Sequence, residues 1–464
     1  MDNRVEKFLN SMKNKKIAFC GIGRSNLPLV SLFSKYGADI TVCDRKDKSF
    51  FSDEILKSIT DCGAKIKCGE DYLDNLSVDI IFRAPGMYYN LEVLQNFKNQ
   101  GVVVTSEMEV FFDICPAKII ALTGTDGKTT TTTIVTEILE KTGKRIYKGG
   151  NIGTPLLPLI EEITSDDICV VELSSFQLIS MRKSPDIAAI TNVYPDHLNV
   201  HKDMQEYIDA KVNILSHQNA FSKAVLNFDN EVTKDLAKFV RGKLVFFSHL
   251  QKLEFGAYLD DEGYLVFNNG KEITRILHKD EIKIPGMHNV ENYLTAIAIT
   301  YGEVENSAIK EVANTFSGVE HRIEFVRELD GVRYYNDSIA TSPASVTAGL
   351  TAFDKKVIII AGGSDKQLDY STLSGALNKY VKVLVLTGET AEKIHKAVVS
   401  DKDYDETQIK IIYADSMEEA VQKARENAVS GDVISLSPAS ASFDKYKDFE
   451  ERGRHFKNIV KGLK

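Results

Sequence analysis

The stretch AKIIALTGTDGKTTTTTIVTEILEKTG, residues 117–143, constrains the fold more tightly than any other part of the chain. An apolar run of strand length runs into glycines, a Lys-Thr pair and a helical pattern closed by glycine. A strand that feeds a helix in this way belongs to a sheet of parallel strands joined by crossover helices. Glycine lets backbone N–H groups face an anion, and a helix N-terminus favours negative charge. Gly124, Thr125, Asp126, Gly127, Lys128, Thr129 and Thr130 therefore form a candidate nucleotide-phosphate loop, with Lys128 placed for the β- and γ-phosphates and the Thr129 hydroxyl for Mg²⁺. The match to GxxxxGK[ST] is incomplete, because Leu122 stands at the first glycine position; a glycine-containing structural turn is the competing reading. β-Branched threonines are mediocre helix formers, yet five follow Lys128 in succession. At a first helical turn their hydroxyls can meet orphan N–H groups, a phosphate or a metal. Thr129 and Thr130 take that role here; Thr131, Thr132 and Thr133 are given none.

Strand-like and helical stretches alternate on both sides of this segment, as in KIAFCG, DITVCD, DDICVVELSS, PDIAAITN, KKVIIIAGG and VKVLVLTG. YLDDEGYLVFNNG reads as a hairpin, and IEFVRELDGVRYYND as two strands around an Asp-Gly turn. A chain of 464 residues is too long for one core. The expected class is α/β with three domains: an N-terminal Rossmann-like domain at 1–106, a central P-loop-type ATPase domain at 107–317 and a C-terminal Rossmann-like domain at 318–464. A net charge of −9 argues against a general nucleic-acid binder, and no apolar run has membrane-spanning length. The N-terminus lacks a signal-peptide pattern, and six cysteines without a CxxC pair suit a reducing cytoplasm.

Three further motifs bear chemistry. Glu172 closes the apolar run of VELSSFQ, where a carboxylate at the end of a parallel strand can hold Mg²⁺ directly or through water. Asp196 and His197 of NVYPDHL could ligate metal or orient a phosphoryl group, while nearby His201 carries no assignment. Tyr207 and Lys211 are four apart and share a helix face, where a solvated lysine is the plain alternative. Gly21-Ile22-Gly23-Arg24-Ser25-Asn26, with Asp44 after the next strand, suggests a dinucleotide site, but Asn26 replaces the third glycine.

GTDGKTT, GGNIGTP, ELSSFQL, NVYPDHL, YIDAKVNIL, PGMHNVENYLTAIA, EHRIEFV and YYNDSIATSPAS stand in the order found in the Mur ligases, which the chain resembles over nearly its whole length. LSPASASFDKYKDFEERGRHF is similar to the family member that adds D-glutamate. The resemblance implies a cytoplasmic, monomeric ATP-dependent ligase of peptidoglycan precursor synthesis. It would join D-glutamate to UDP-N-acetylmuramoyl-L-alanine through an acyl phosphate. It further implies two Mg²⁺ ions, one held by Thr129 and Glu172 and the other by His197 and a carbamylated Lys211. Lys128, His197 and Lys211 would be catalytic. Asn289 and Asn292 would lie near adenine, with Arg322 and Asp337 reaching the nucleotide from the third domain. Arg24, Ser25, Asp44, Arg45, Asn151 and His197 would meet the UDP-substrate, and Thr341, Lys366, Ser442 and Phe449 the D-glutamate. Many relatives have lysine in NDSKAT where this chain has Ile339 in NDSIAT, so one expected cation is missing.

Three other readings stay open on sequence. A related ligase such as a folylpolyglutamate synthase would join a different amino acid or acceptor. A P-loop motor or regulatory ATPase would turn over ATP without an amine, and leaves HNVEN, EHR and YYNDS without work. A nucleotide-linked oxidoreductase would bind a nicotinamide.

Overall fold

Each of three sheets is built around strands whose side chains are apolar on both faces, the pattern of a parallel sheet covered by helices on either side. The computed structural model describes residues 2–198, 200–365 and 368–464. The strands in chain order are β1 Lys16–Cys20, β2 Asp39–Asp44, β3 Lys65–Cys68, β4 Ile80–Arg83, β5 Val103–Thr105, β6 Lys118–Thr123, β7 Ile146–Gly150, β8 Ile168–Glu172, β9 Ile187–Ile190, β10 Lys223–Asn227, β11 Lys243–Ser248, β12 Gly256–Leu259, β13 Tyr264–Asn268, β14 Ile273–His278, β15 Glu324–Leu329, β16 Val332–Asn336, β17 Val357–Gly362, β18 Val381–Thr387, β19 Lys410–Tyr413 and β20 Val433–Leu436.

The first sheet has the order β3-β2-β1-β4-β5, parallel throughout. Its strand order reverses between β1 and β4, and the glycine turn Gly21–Asn26 leaves β1 at that switch point, where open α/β sheets bind ligands. The second sheet has the order β14-β13-β12-β11-β10-β9-β6-β8-β7. It is parallel from β7 to β12 and ends in the antiparallel strands β13 and β14. β6 lies between β8 and β9, so the segments leaving these three strands emerge side by side at their carboxyl ends. The third sheet has the order β15-β16-β20-β17-β18-β19, with only β15 antiparallel. The β15–β16 hairpin turns on Asp330 and Gly331, both left-handed (φ 54° and 74°), as a tight Asp-Gly turn requires. The fold is thus α/β with the expected three-domain architecture.

By contacts the chain forms two compact units, Met1–Glu281 with Val290–Val312, and Ile282–Asn289 with Ala313–Lys464. In the first unit a continuous core runs from Val5, Leu9, Phe19 and Phe33 to Met108, Leu156, Leu178 and Leu215. Phe19, Phe33 and Phe82 form an aromatic cluster within it, with ring centroids 5.0–5.9 Å apart. In the second unit β17, β18 and β20 are covered on one face by Leu373, Leu377 and Ile394, and on the other by Ala420, Val421, Phe456 and Val460. All six cysteines are free thiols. Among the described residues no helix is long and apolar enough to cross a membrane.

Candidate active site

The loop after β6 has little room for side chains. Gly127 is left-handed (φ 78°) at the N-cap of the helix Lys128–Glu140, and a Cβ there would stand 2.6 Å from Asn292 Oδ1. A Cβ on Gly124 would collide with Thr191 Oγ1. The loop is shaped by Asn192, beyond the end of β9. Its amide oxygen accepts from the N–H of Thr125 (3.2 Å) and of Asp126 (2.8 Å). Lys128 folds back, its Nζ donating to the carbonyls of Gly124 (3.0 Å) and Thr125 (2.6 Å). The Thr129 hydroxyl donates to Glu172 Oε2 at 2.8 Å, while Asn151 Nδ2 donates to Glu172 Oε1 at 2.8 Å. Three sequence candidates from the ends of β6, β7 and β8 are thereby brought together. Thr130 is half-buried in the same first turn.

The later threonines are interior. The Thr131 hydroxyl donates to Asn292 Oδ1 at 3.0 Å, fastening the helix Lys128–Glu140 to the helix Met287–Thr300. The Thr133 and Thr136 hydroxyls donate one turn back, to the carbonyls of Thr129 and Thr132. Thr132 is buried with no hydrogen-bond partner for its hydroxyl. Sequence reasoning missed the Thr131 contact, because nothing in a run of identical residues marks which one meets a residue 161 positions on.

Lys211 and Tyr207 share the face of the helix Met204–Ser216, which Asp203 caps by accepting from the Glu206 N–H. Lys211 is buried. Its Nζ donates to the Gly124 carbonyl at 2.7 Å and the Thr123 hydroxyl at 3.3 Å, and lies 4.6 Å from the Tyr207 ring centroid. Burial, assisted by the nearby Lys128 charge, pushes its pKa down to about 7. The Tyr207 hydroxyl lies 3.1 Å from Thr125 Oγ1, so this helix contacts the loop after β6 twice. His197 is half exposed and left-handed (φ 55°), with Nε2 3.4 Å from Asp196 Oδ2.

Around the first glycine loop, Ile22 N–H donates to Asp44 Oδ2 at 2.8 Å, and Lys46 N–H to Asp44 Oδ1 at 2.9 Å. Arg24 and Arg45 are exposed, and Ser25 is half-buried. Asn26, read from sequence as a defect in a glycine fingerprint, is buried and donates its amide to the Cys20 carbonyl at 3.0 Å, closing the turn.

In the second unit Asn289 is buried and donates its amide to the Pro285 carbonyl at 2.6 Å. Arg322 is exposed, flanked by the left-handed His321 (φ 66°) and Ile323 (φ 43°). Asp337 is buried and accepts from the Ile323 N–H at 3.2 Å; burial pushes its pKa up to about 7 against the pull of Arg322. Arg322 and Asp337 are therefore neighbours. Thr341 is half-buried, Ser442 is buried, and the Phe449 ring meets His321 edge-on at 5.9 Å. Lys366 lies outside the described residues. Ile339 is half-buried, with its N–H on the His321 carbonyl.

The residue missed in this unit is Arg452. Buried in the helix Phe449–Gly462, it donates to Ser338 Oγ (3.0 Å), the Ser338 carbonyl (2.9 Å) and the carbonyls of Ser440 (3.1 Å) and Ala441 (2.9 Å). It clamps the loops that carry Thr341 and Ser442 to each other. Its only sequence signal was an arginine on the apolar face of an amphipathic helix.

The donor set for a cation can be judged from these contacts. Thr129 and Glu172 offer adjacent hard oxygens, which suit Mg²⁺. The Lys211 amine as it stands offers a donor N–H rather than an oxygen. Among the described residues no cluster of three or more His, Cys, Asp or Glu is arranged as a metal site.

Comparisons with known proteins agree with the architecture. Residues 122–300 match the Mur ligase middle domain, and residues 321–440 match the Mur ligase, glutamate ligase domain. The chain belongs to the Mur ligase family. Within it, the chain is 49% identical to a UDP-N-acetylmuramoylalanine–D-glutamate ligase of Acetivibrio thermocellus, and 46% identical to the protein of that name in Ruminiclostridium cellulolyticum, each over 100% of both chains. The solved UDP-N-acetylmuramate-alanine ligase of Thermotoga maritima shares the fold (TM-score 0.58, 19% identity, 97% of this chain and 100% of that one). So does a pseudomurein peptide ligase type C of Methanothermus fervidus (TM-score 0.52, 20% identity, 97% and 100%).

Proposed function

We propose that the chain joins D-glutamate to UDP-N-acetylmuramoyl-L-alanine at the expense of ATP, in the cytoplasm and as a monomer. The observation that carries this reading is the convergence on the phosphate loop of Lys128, the Thr129–Glu172 oxygen pair and the buried Lys211. An anionic carboxylate must attack an anionic triphosphate, so the first demand on the protein is fixed positive charge and dipoles. The loop N–H groups and the N-terminus of the helix Lys128–Glu140 receive the phosphates, and Lys128 turns from the loop carbonyls to the transferring group. Mg²⁺, held by Thr129 and Glu172, would supply further neutralisation. The substrate carboxylate oxygen bonds to the γ-phosphorus as ADP leaves. The amine of D-glutamate then attacks the carbonyl carbon, loses a proton, and expels phosphate.

A buried amine with a lowered pKa is held partly uncharged near neutral pH, the form that captures CO₂. A carbamate on Lys211 would supply the oxygen its amine lacks and, with His197, would complete a second cation site. Asn289, Asn292, Arg322 and Asp337 are assigned to the nucleotide. Arg24, Ser25, Asp44, Arg45 and Asn151 are assigned to the UDP-substrate, and Thr341, Lys366, Ser442 and Phe449 to D-glutamate. Asp44 and Asn151 would reach their ligand while already fastening protein groups. Domain boundaries at 106 and 317 belong to the same reading. The test is product mass after incubation with ATP, Mg²⁺ and UDP-N-acetylmuramoyl-L-alanine. D-Glutamate should be joined far faster than L-glutamate or D-alanine; comparable rates with L-glutamate would contradict the assignment.

A further inference from the structure

His201 has a more elaborate setting than a histidine without assigned work needs. Its side chain is wholly buried and held at both nitrogens, with Nε2 2.9 Å from Ser175 Oγ and Nδ1 3.2 Å from Glu206 Oε2. A carboxylate only accepts, so Nδ1 carries the proton, and Nε2 is bonded to the Ser175 hydroxyl. Glu206 also receives the Tyr88 hydroxyl, from the segment that follows β4 of the first sheet. The His201 ring lies parallel to Phe176 (2°, 5.1 Å) and meets Tyr207 at 62° and 5.3 Å. His197 rests on the same two rings, at 5.1 Å from Phe176 and 6.4 Å from Tyr207. The backbone repeats the link, since the His201 N–H donates to the His197 carbonyl at 3.0 Å. Phe176 is held from behind as well: Arg83, at the end of β4, donates to its carbonyl at 3.0 Å and to Ser180 Oγ at 2.7 Å.

We infer that His201 is a positioning residue, which fixes the Phe176–Tyr207 pair on which His197 rests and ties that platform through Glu206 and Tyr88 to the first-sheet domain. The argument is geometric. His197 is half exposed on a left-handed backbone, and apart from Asp196 at its Nε2 its ring lies against Phe176 and Tyr207. Both of those rings pack against one imidazole that its two hydrogen bonds prevent from rotating. The inference rests on the assignment of His197 to the reaction centre. It adds that the loop after β4, in the domain that takes the UDP-substrate, helps to aim a residue on the central domain.

The test is a double-mutant cycle on the full-length enzyme, with kcat and KM measured for each substrate. His197→Ala measures whether His197 takes part; an unchanged kcat would remove the assignment beneath the inference and not the inference alone. Given a loss there, His201→Ala should lower kcat roughly 10- to 100-fold through misplacement of a reacting group, with the KM for ATP unchanged. The His197→Ala/His201→Ala pair should be no slower than His197→Ala. Losses that multiply in the double variant would overturn the inference, because a merely structural histidine harms both backgrounds alike. If His201→Ala does not fold by circular dichroism, Glu206→Ala reads the same link from the partly exposed end. It should lower kcat several-fold in the wild-type background and not at all in His197→Ala. An unchanged kcat in the wild-type background, or an equal fall in both, would contradict the link.

Discussion

The first unit contains two loops of one topology with different contents. Gly21–Asn26 follows β1 and Gly124–Lys128 follows β6; each leaves the carboxyl end of a parallel strand, turns on a left-handed glycine and enters a helix. In the first, the inward polar groups serve the turn itself: Asn26 closes it and Asp44 takes the Ile22 N–H, while Arg24 faces solvent. In the second, two lysine amines lie on the Gly124 carbonyl, and a hydroxyl–carboxylate pair stands at the first helical turn. Topology makes both loops places where an anion can bind. The side chains delivered by neighbouring strands decide which one can also neutralise a phosphoryl group in transfer.

The strongest challenge to that contrast is to remove one cation from each loop. Lys128→Ala should lower kcat by 10²-fold or more, roughly 3 kcal/mol of barrier. Arg24→Ala should raise the KM for the UDP-substrate and leave kcat at saturation within a few-fold. If steady-state kinetics show both variants altering the same parameter, the division between chemistry and binding does not hold.

The glycines sharpen it next. Gly127→Ala and Gly21→Ala both force φ above zero on a residue with a Cβ, the first 2.6 Å from Asn292 Oδ1 and the second 2.8 Å from Ala84 Cβ. Each should lose about 1–3 kcal/mol in thermal unfolding, as strained left-handed positions do. Only Gly127→Ala should also lose turnover when every substrate is saturating.

Much of this was legible in the sequence and some was not, for a physical reason. The strands, the glycine turn from β6 into the helix Lys128–Glu140, the Asp-Gly hairpin and the shared face of Tyr207 and Lys211 are local patterns, and the structure has them at those positions. What could not be read is what distant side chains do to each other. A glycine fingerprint broken at Asn26 looks like a defect until the amide is seen on the Cys20 carbonyl. Thr131 differs from Thr132 only in facing Asn292, and His201 differs from a structural histidine only in the rings around it.

Smaller effects follow from those contacts. Asn26→Gly completes the dinucleotide fingerprint on paper, yet it should cost about 1–2 kcal/mol by denaturant unfolding through the lost amide bonds. It should gain no nicotinamide binding by fluorescence titration. Smaller still, Thr131→Val should cost about 1 kcal/mol by removing the hydrogen bond to the Asn292 oxygen, whereas Thr132→Val, which replaces a hydroxyl that has no partner, should stay within about 0.5 kcal/mol of wild type or be more stable.

The central claim is that the loop after β6 carries out phosphoryl transfer to a carboxylate, and one isotope measurement addresses it. UDP-N-acetylmuramoyl-L-alanine labelled with ¹⁸O in both carboxylate oxygens is turned over with ATP, Mg²⁺ and D-glutamate, and the released phosphate is weighed. An acyl phosphate requires one labelled oxygen to leave with phosphorus, so each phosphate should carry a single ¹⁸O. Unlabelled phosphate would contradict the account, since the carboxylate would then never have been bonded to phosphorus.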